Sequence, residues 1–157
     1  MKNKFNEMKE KIREFELVLN RLEVLYSINS TKDFEEKITG SSWSKKEIMG
    51  HLIDSAINNL QRFTEIQYFE KPYVIRQYNP DELVKSNKYQ DKNGQELYEL
   101  WIQLNKHIIY LAKNLDDTTL KFQLILPNKE QVDLQFLIED YFDHFYHHLN
   151  QINSKWI

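Results

Sequence analysis

Apolar side chains return every three or four positions along four stretches of the chain, which is the period of an amphipathic helix. The first stretch runs from about Lys4 to Ile28, with Phe5, Met8, Ile12, Phe15, Leu19, Leu22 and Tyr26 on one face. The second has a marked start in "WSKKEI". There Ser44 caps the helix, Glu47 returns the bond, and Trp43 and Ile48 stand at the two positions of a hydrophobic staple. It continues through "MGHLIDSAINNLQRFTEIQYF" and ends near Lys71–Pro72, because proline disfavours helix in the residue before it. Residues 71–92 form a long connection in which Asn79-Pro80-Asp81-Glu82 predicts a short capped helix. Connections of this length are uncommon in compact domains and often cover a site. A third helix starts around Asn93 and takes in "LYELWIQLNKHIIYLAKNL". Phe122, Leu124 and Leu126 then alternate ahead of a Pro-Asn turn, which predicts a short β-hairpin. Asp133 caps the fourth helix, which runs to about Asn153 with Leu137, Tyr141, Phe145, Leu149 and Ile152 as its buried stripe. The expected fold is all-α, a four-helix bundle with a long loop and a short β-hairpin, in one domain spanning residues 1–157.

Composition narrows the chemistry. Only three glycines and three prolines punctuate the chain, in keeping with long helices and against a many-turned β-sandwich. There is no cysteine, which excludes disulfides, thiolate ligands and a cysteine nucleophile and leaves His, Asp and Glu as the strong metal ligands. The net charge of −3 is spread without a basic stripe, so no nucleic-acid surface is indicated. No apolar run resembles a signal peptide or reaches the roughly 18 residues of a membrane span, so a cytoplasmic location without membrane contact is the default expectation.

Histidine is the residue type that departs from the ordinary. Three of the five histidines crowd into "DYFDHFYHHLNQI". On a wheel of 100° per residue, His144 and His148 flank the buried stripe of the fourth helix, whereas His147 points elsewhere with Asp140 and Asp143. His144 and His148 are four apart, so their rings stand one turn above each other and can share one metal ion. Asp140, one turn before His144, is placed to accept its second ring proton. A third ligand must come from another helix, and His51 and His107 are the candidates. If the second and fourth helices are antiparallel neighbours, His51 and His148 reach the same end of the bundle. His107, in "LNKHIIYL", reads as a surface or packing histidine. The wheel by itself also makes His51 a surface residue, because it lies beyond the arc of Leu52, Ala56, Leu60 and Phe63.

The combination "W-S-x-x-E-I-x-x-H-L-x-D" in the first half and "D-x-x-x-H-x-x-x-H-L-x-Q-I" near the C-terminus resembles the DinB/YfiT-like family of metal-binding four-helix proteins. The resemblance covers most of the chain, from about Trp43 to Ile152, with Leu17 to Ile28 in the place expected for the first helix. It implies that His51, His144 and His148 bind a divalent metal, zinc or nickel. It also implies one of two activities: transfer of a low-molecular-weight thiol to an electrophile, which is the favoured expectation, or metal-dependent hydrolysis.

Other residues admit two readings. Asp54, one turn past His51, is a proton acceptor or orienting group on the functional reading and a solvated surface aspartate on the bland one. Tyr141 is a proton donor or a core tyrosine. Asn58 and Arg62 extend the polar row from His51 and either meet an anionic substrate or form a solvated face. Gln151 matches the family's ending for structural reasons. Tyr68, Phe69 and Tyr73 offer a surface for a homodimer. A non-catalytic scaffold or stress protein remains the alternative of a different class.

Overall fold

The computed structural model of the chain describes residues 4–25, 31–37, 39–40 and 42–157. Four long helices dominate: α1 (Lys4–Leu25), α2 (Lys45–Glu65), α4 (Gly94–Lys113) and α6 (Leu134–Ile152), with shorter α3 (Pro80–Asn87) and α5 (Asp117–Leu120) between them. Tyr26 and Ile28, placed in the first helix by periodicity, lie outside the described residues.

The helix starts are where capping chemistry puts them. Ser44 and Glu47 form the reciprocal capping box of α2, with Ser44 Oγ accepting from the Glu47 N–H at 3.1 Å and Glu47 Oε2 accepting from the Ser44 N–H at 2.9 Å. Asn79 caps α3, Asn93 caps α4 and Asp133 caps α6, each side chain accepting from backbone N–H groups of the first turn. The end of α2 differs from expectation. Regular helix stops at Glu65, and residues 66–69 continue as turns, with Phe69 N–H reaching Glu65 O at 2.9 Å. The proline at 72 therefore follows a turn rather than terminating the helix itself.

Packing follows an order that differs from the sequence order. α2 lies against α4 and α6, and α1 lies against the same two helices, so α1 and α2 stand across the diagonal of the bundle. The centre is aromatic: Phe15 stacks on Phe142 with ring centroids 4.3 Å apart, and Trp101 stacks on Phe145 at 5.1 Å. All five residues expected on the inner stripe of the last helix are buried, as are Met8, Ile12, Phe15, Leu19 and Leu22 of α1.

A small sheet closes one end. β2 (Gln123–Ile125) and β3 (Gln131–Asp133) form the antiparallel hairpin expected around the Pro-Asn turn, with Leu124 opposite Val132. β1 (Tyr73–Val74), from the long connection, adds in parallel to β2, and its register pairs Tyr73 with Leu124. This strand was not legible, because two residues are too few to show alternation. No helix among the described residues is long and apolar enough to cross a membrane.

Candidate metal centre

The first half of α2 is buried on every side, from Lys46 through Ala56 apart from the half-buried Ile48. Trp43 and the connection that carries α3 cover the face left polar by the sequence pattern. Gly50 permits this: the ring of Tyr89 lies where a Cβ would sit, and such a Cβ would overlap the ring and come within 2.8 Å of Tyr89 Cβ. His51 is consequently only 4% exposed, and Asp54 3%. The surface position that the wheel alone gives His51, and the solvated reading of Asp54, are overturned, because a wheel assumes one dry face and this half-helix has no wet one.

α6 brings the other two histidines to the same place. His51 meets His144 and His148 with ring centroids 4.9 and 4.7 Å apart, and the last two rings are 4.5 Å from each other. Candidate ligand atoms of the three all lie within 4.8 Å of one another. The Nε2 atoms of His51 and His144 face each other at 3.0 Å. His147 stays exposed and His107 is an exposed residue stacked on Tyr110, so neither joins the group.

The outward nitrogens differ in their partners. His148 Nδ1–H donates to Gln151 Oε1 at 2.7 Å, which leaves its Nε2 lone pair free. His144 Nδ1 faces Ser55 Oγ at 3.4 Å. Asp140, expected in that role, is exposed and makes no bond to His144. It sits on the wet side of the ring, and Ser55 on α2 occupies the dry side. His51 Nδ1 is buried without a hydrogen-bond partner, and its ring lies against Trp43, centroids 4.9 Å apart.

Burial holds all three rings neutral. It lowers His51 to about 3 and His144 to about 4, with the neighbouring imidazoles as the next cause, and it lowers His148 against the bond from Gln151. Neutral imidazole is the ligand form. With both inward nitrogens unprotonated, as ligands must be, the pair at 3.0 Å needs a shared cation, and the donor set fits a divalent ion.

Beside the histidines lies a second polar group. Asp54 Oδ1 accepts from Tyr89 O–H at 2.6 Å and from Asn87 Nδ2–H at 2.8 Å, while Oδ2 is buried with no partner. Burial raises the carboxyl above the usual range, opposed by those two bonds. Tyr141, the other expected catalytic residue, belongs to the core: it is fully packed between Phe15 and Phe63, and its hydroxyl donates to Asn105 Oδ1 at 2.6 Å. Ser55, Gln151, Tyr89 and Asn87 were not expected at the site. The first two stand four and three residues from a histidine on the same helix, a spacing that offers a signal; the last two come from the connection and offer none.

The family model of the DinB superfamily matches residues 13–152. No curated protein matches the chain. Among solved structures, YfiT from Bacillus subtilis, described as a probable metal-dependent hydrolase with an unusual four-helix bundle topology, is 22% identical with a TM-score of 0.79, over 95% of this chain and 85% of its own. The mycothiol-dependent maleylpyruvate isomerase is 12% identical with a TM-score of 0.69 over 93% of this chain; the match spans 60% of that enzyme. A histidine-to-alanine variant of the same isomerase gives the same TM-score at 10% identity. These likenesses establish the fold, and with a family match running from α1 to the end of α6 the chain belongs to the DinB superfamily.

Proposed function

We propose that the protein is a metal-dependent enzyme that joins a low-molecular-weight thiol to an electrophile. The observation that carries this reading is the triangle of neutral imidazoles, three ligands where a closed structural site uses four. His51, His144 and His148 are the residues that would hold the ion, zinc or nickel. Such an ion, when bound, supplies Lewis acidity that makes a thiol or water entering its open position nucleophilic at neutral pH.

The chain's own groups have separate tasks. Gln151 and Ser55 orient the rings of His148 and His144. Trp43 shields His51 from water. We assign proton acceptance to Asp54 Oδ2: Tyr89 and Asn87 fix the other oxygen, and burial shifts the carboxyl toward neutral pH. The chain has no cysteine, so the sulfur must arrive with a substrate. The structural likeness to an isomerase that depends on mycothiol supports a thiol, and a cytoplasmic location suits one. The likeness to YfiT favours the second reading, hydrolysis at the same centre. Self-association as a homodimer through the exposed Tyr68–Phe69 stack, centroids 4.8 Å apart, is part of the proposal; Tyr73 is half-buried with its hydroxyl on Glu65 and contributes less.

Consumption of 1-chloro-2,4-dinitrobenzene by the metal-loaded protein, measured with a panel of small thiols, tests the assignment. Thiol-dependent turnover that disappears with chelator and in His144→Ala is expected. Inactivity across the panel, with thiol-independent cleavage of p-nitrophenyl esters, would replace transfer by hydrolysis. Inactivity in both assays from a metal-loaded protein leaves the scaffold reading.

A further inference from the structure

Past the histidines, the polar face of α2 continues into a cavity of about 480 Å³ whose lining includes Asn58, Arg62, Phe69, Tyr73 and Arg76. Arg62 is half-buried there and held from three sides. Its N–H groups donate to Arg76 O at 3.0 Å and to Asn59 Oδ1 at 3.4 Å, and its guanidinium lies over the Tyr78 ring, 5.3 Å from the centroid. Yet it has no ion-pair partner among the described residues. Two acids, Glu65 and Glu70, also border the cavity. Glu65, one turn on, is engaged by Tyr73 O–H at 2.6 Å and Gln61 at 2.7 Å, and Glu70 is exposed.

A guanidinium taken partly out of water without an anion is unfavourable, and this one is fixed by packing rather than free to swing into solvent. Its remaining N–H groups are set for an incoming oxyanion. From Arg62 a row of side chains leads to the imidazoles: its guanidinium lies over Tyr78, Tyr78 lies beside Ser55 and Asp54, and Ser55 faces His144.

We propose that Arg62, assisted by Asn58 and Arg76, is an anion-recognition subsite that takes a carboxylate of the substrate whose reactive end lies at the three histidines. The inference rests on the functional reading above and adds the substrate class. Arg62 is eleven residues past His51, about 16 Å along the helix, and its guanidinium reaches back about one turn, roughly 5 Å, to Asn59. The ligand is therefore a small carboxylate with about 10 Å between its acid group and its reacting atom.

Binding can be read without any activity. Metal-free protein is titrated with 4-phenylbutyrate and, separately, with its neutral amide, while arginine side-chain Nε–H signals are followed by NMR and assigned with Arg62→Lys. The carboxylate is expected to shift the Arg62 signal, the amide to leave it unmoved, and Arg62→Met to weaken binding at least tenfold with Arg62→Lys in between. His144→Ala should bind the carboxylate as the wild type does. Equal binding of acid and amide, no binding of the acid at its solubility limit, or wild-type affinity in Arg62→Met overturns the subsite. Because no ion or turnover enters the measurement, an inactive enzyme that still binds the carboxylate overturns the catalytic reading and leaves the subsite standing.

Discussion

Gly50→Ala is the substitution whose sign depends most on the architecture around the site. In an isolated helix it stabilises by up to about 1 kcal/mol, because alanine loses less backbone freedom than glycine. Here the new methyl would overlap Cγ and Cδ2 of Tyr89 and stand 2.8 Å from its Cβ, atoms too near the backbone to swing aside. Tyr89 must move, and its hydroxyl then leaves Asp54, now 2.6 Å away. Overpacking contributes about 1–3 kcal/mol and the lost bond to a buried acid about 1.5–3, so after subtracting the helix gain the variant should be about 1.5–5 kcal/mol less stable. Urea unfolding followed by circular dichroism measures this. A double-mutant cycle sharpens it: alanine at 89 would keep the Cβ that stands 2.8 Å away, so the background is Tyr89→Gly, where the clash has no partner and Gly50→Ala should reverse sign and stabilise by about 1 kcal/mol. A Gly50→Ala protein as stable as wild type, or one equally destabilised with Tyr89 removed, would refute the claim that this ring packs on the helix backbone.

Three further outcomes follow from the site. Gln151→Ala frees the outer nitrogen of His148 while leaving the fold intact, and chelator competition should show about 10–100-fold weaker metal binding; unchanged affinity would remove Gln151 from the site. A divalent ion at 100 times its dissociation constant should add about 2.7 kcal/mol to wild-type stability and nothing to His144→Ala, read as a melting shift, and an equal shift in both proteins would place the ion elsewhere. Asp54→Asn tests the buried carboxyl. A raised folded-state value means that the charged form is disfavoured on folding, a penalty absent below the unfolded value of 3.8 and fully present once pH exceeds the folded one. The variant should therefore gain stability relative to wild type as pH rises from 3.8 toward 7 while losing turnover, and a variant less stable at pH 7 than at pH 4, relative to wild type, would contradict that direction.

How much of this was readable from residues alone depends on how local the cause is. The capping box at Ser44 and the caps at Asn79, Asn93 and Asp133 act within one turn, so the helix starts were legible. The placement of His144 and His148 on the inner flank, with His147 outside, follows from a helix that has one dry face. His51 does not follow, because its ring is enclosed by Trp43 and by His144 and His148 of a distant helix, contacts that no periodicity records. Family resemblance supplied what the wheel could not. Asp140 and Ser55 show the same limit: both are correctly spaced to meet His144, one on its own helix and one across the interface, and only packing decides between them.

The account stands on three imidazoles, from α2 and α6, binding one cation. Metal content by mass spectrometry, on protein carrying no histidine tag and dialysed against zinc or nickel, tests it most directly. One ion per chain is expected in the wild type, with none retained by His51→Ala or His144→Ala proteins whose circular dichroism is unchanged. A wild-type protein that captures no ion when supplied with one, or variants that keep it, would contradict the centre and every function built on it.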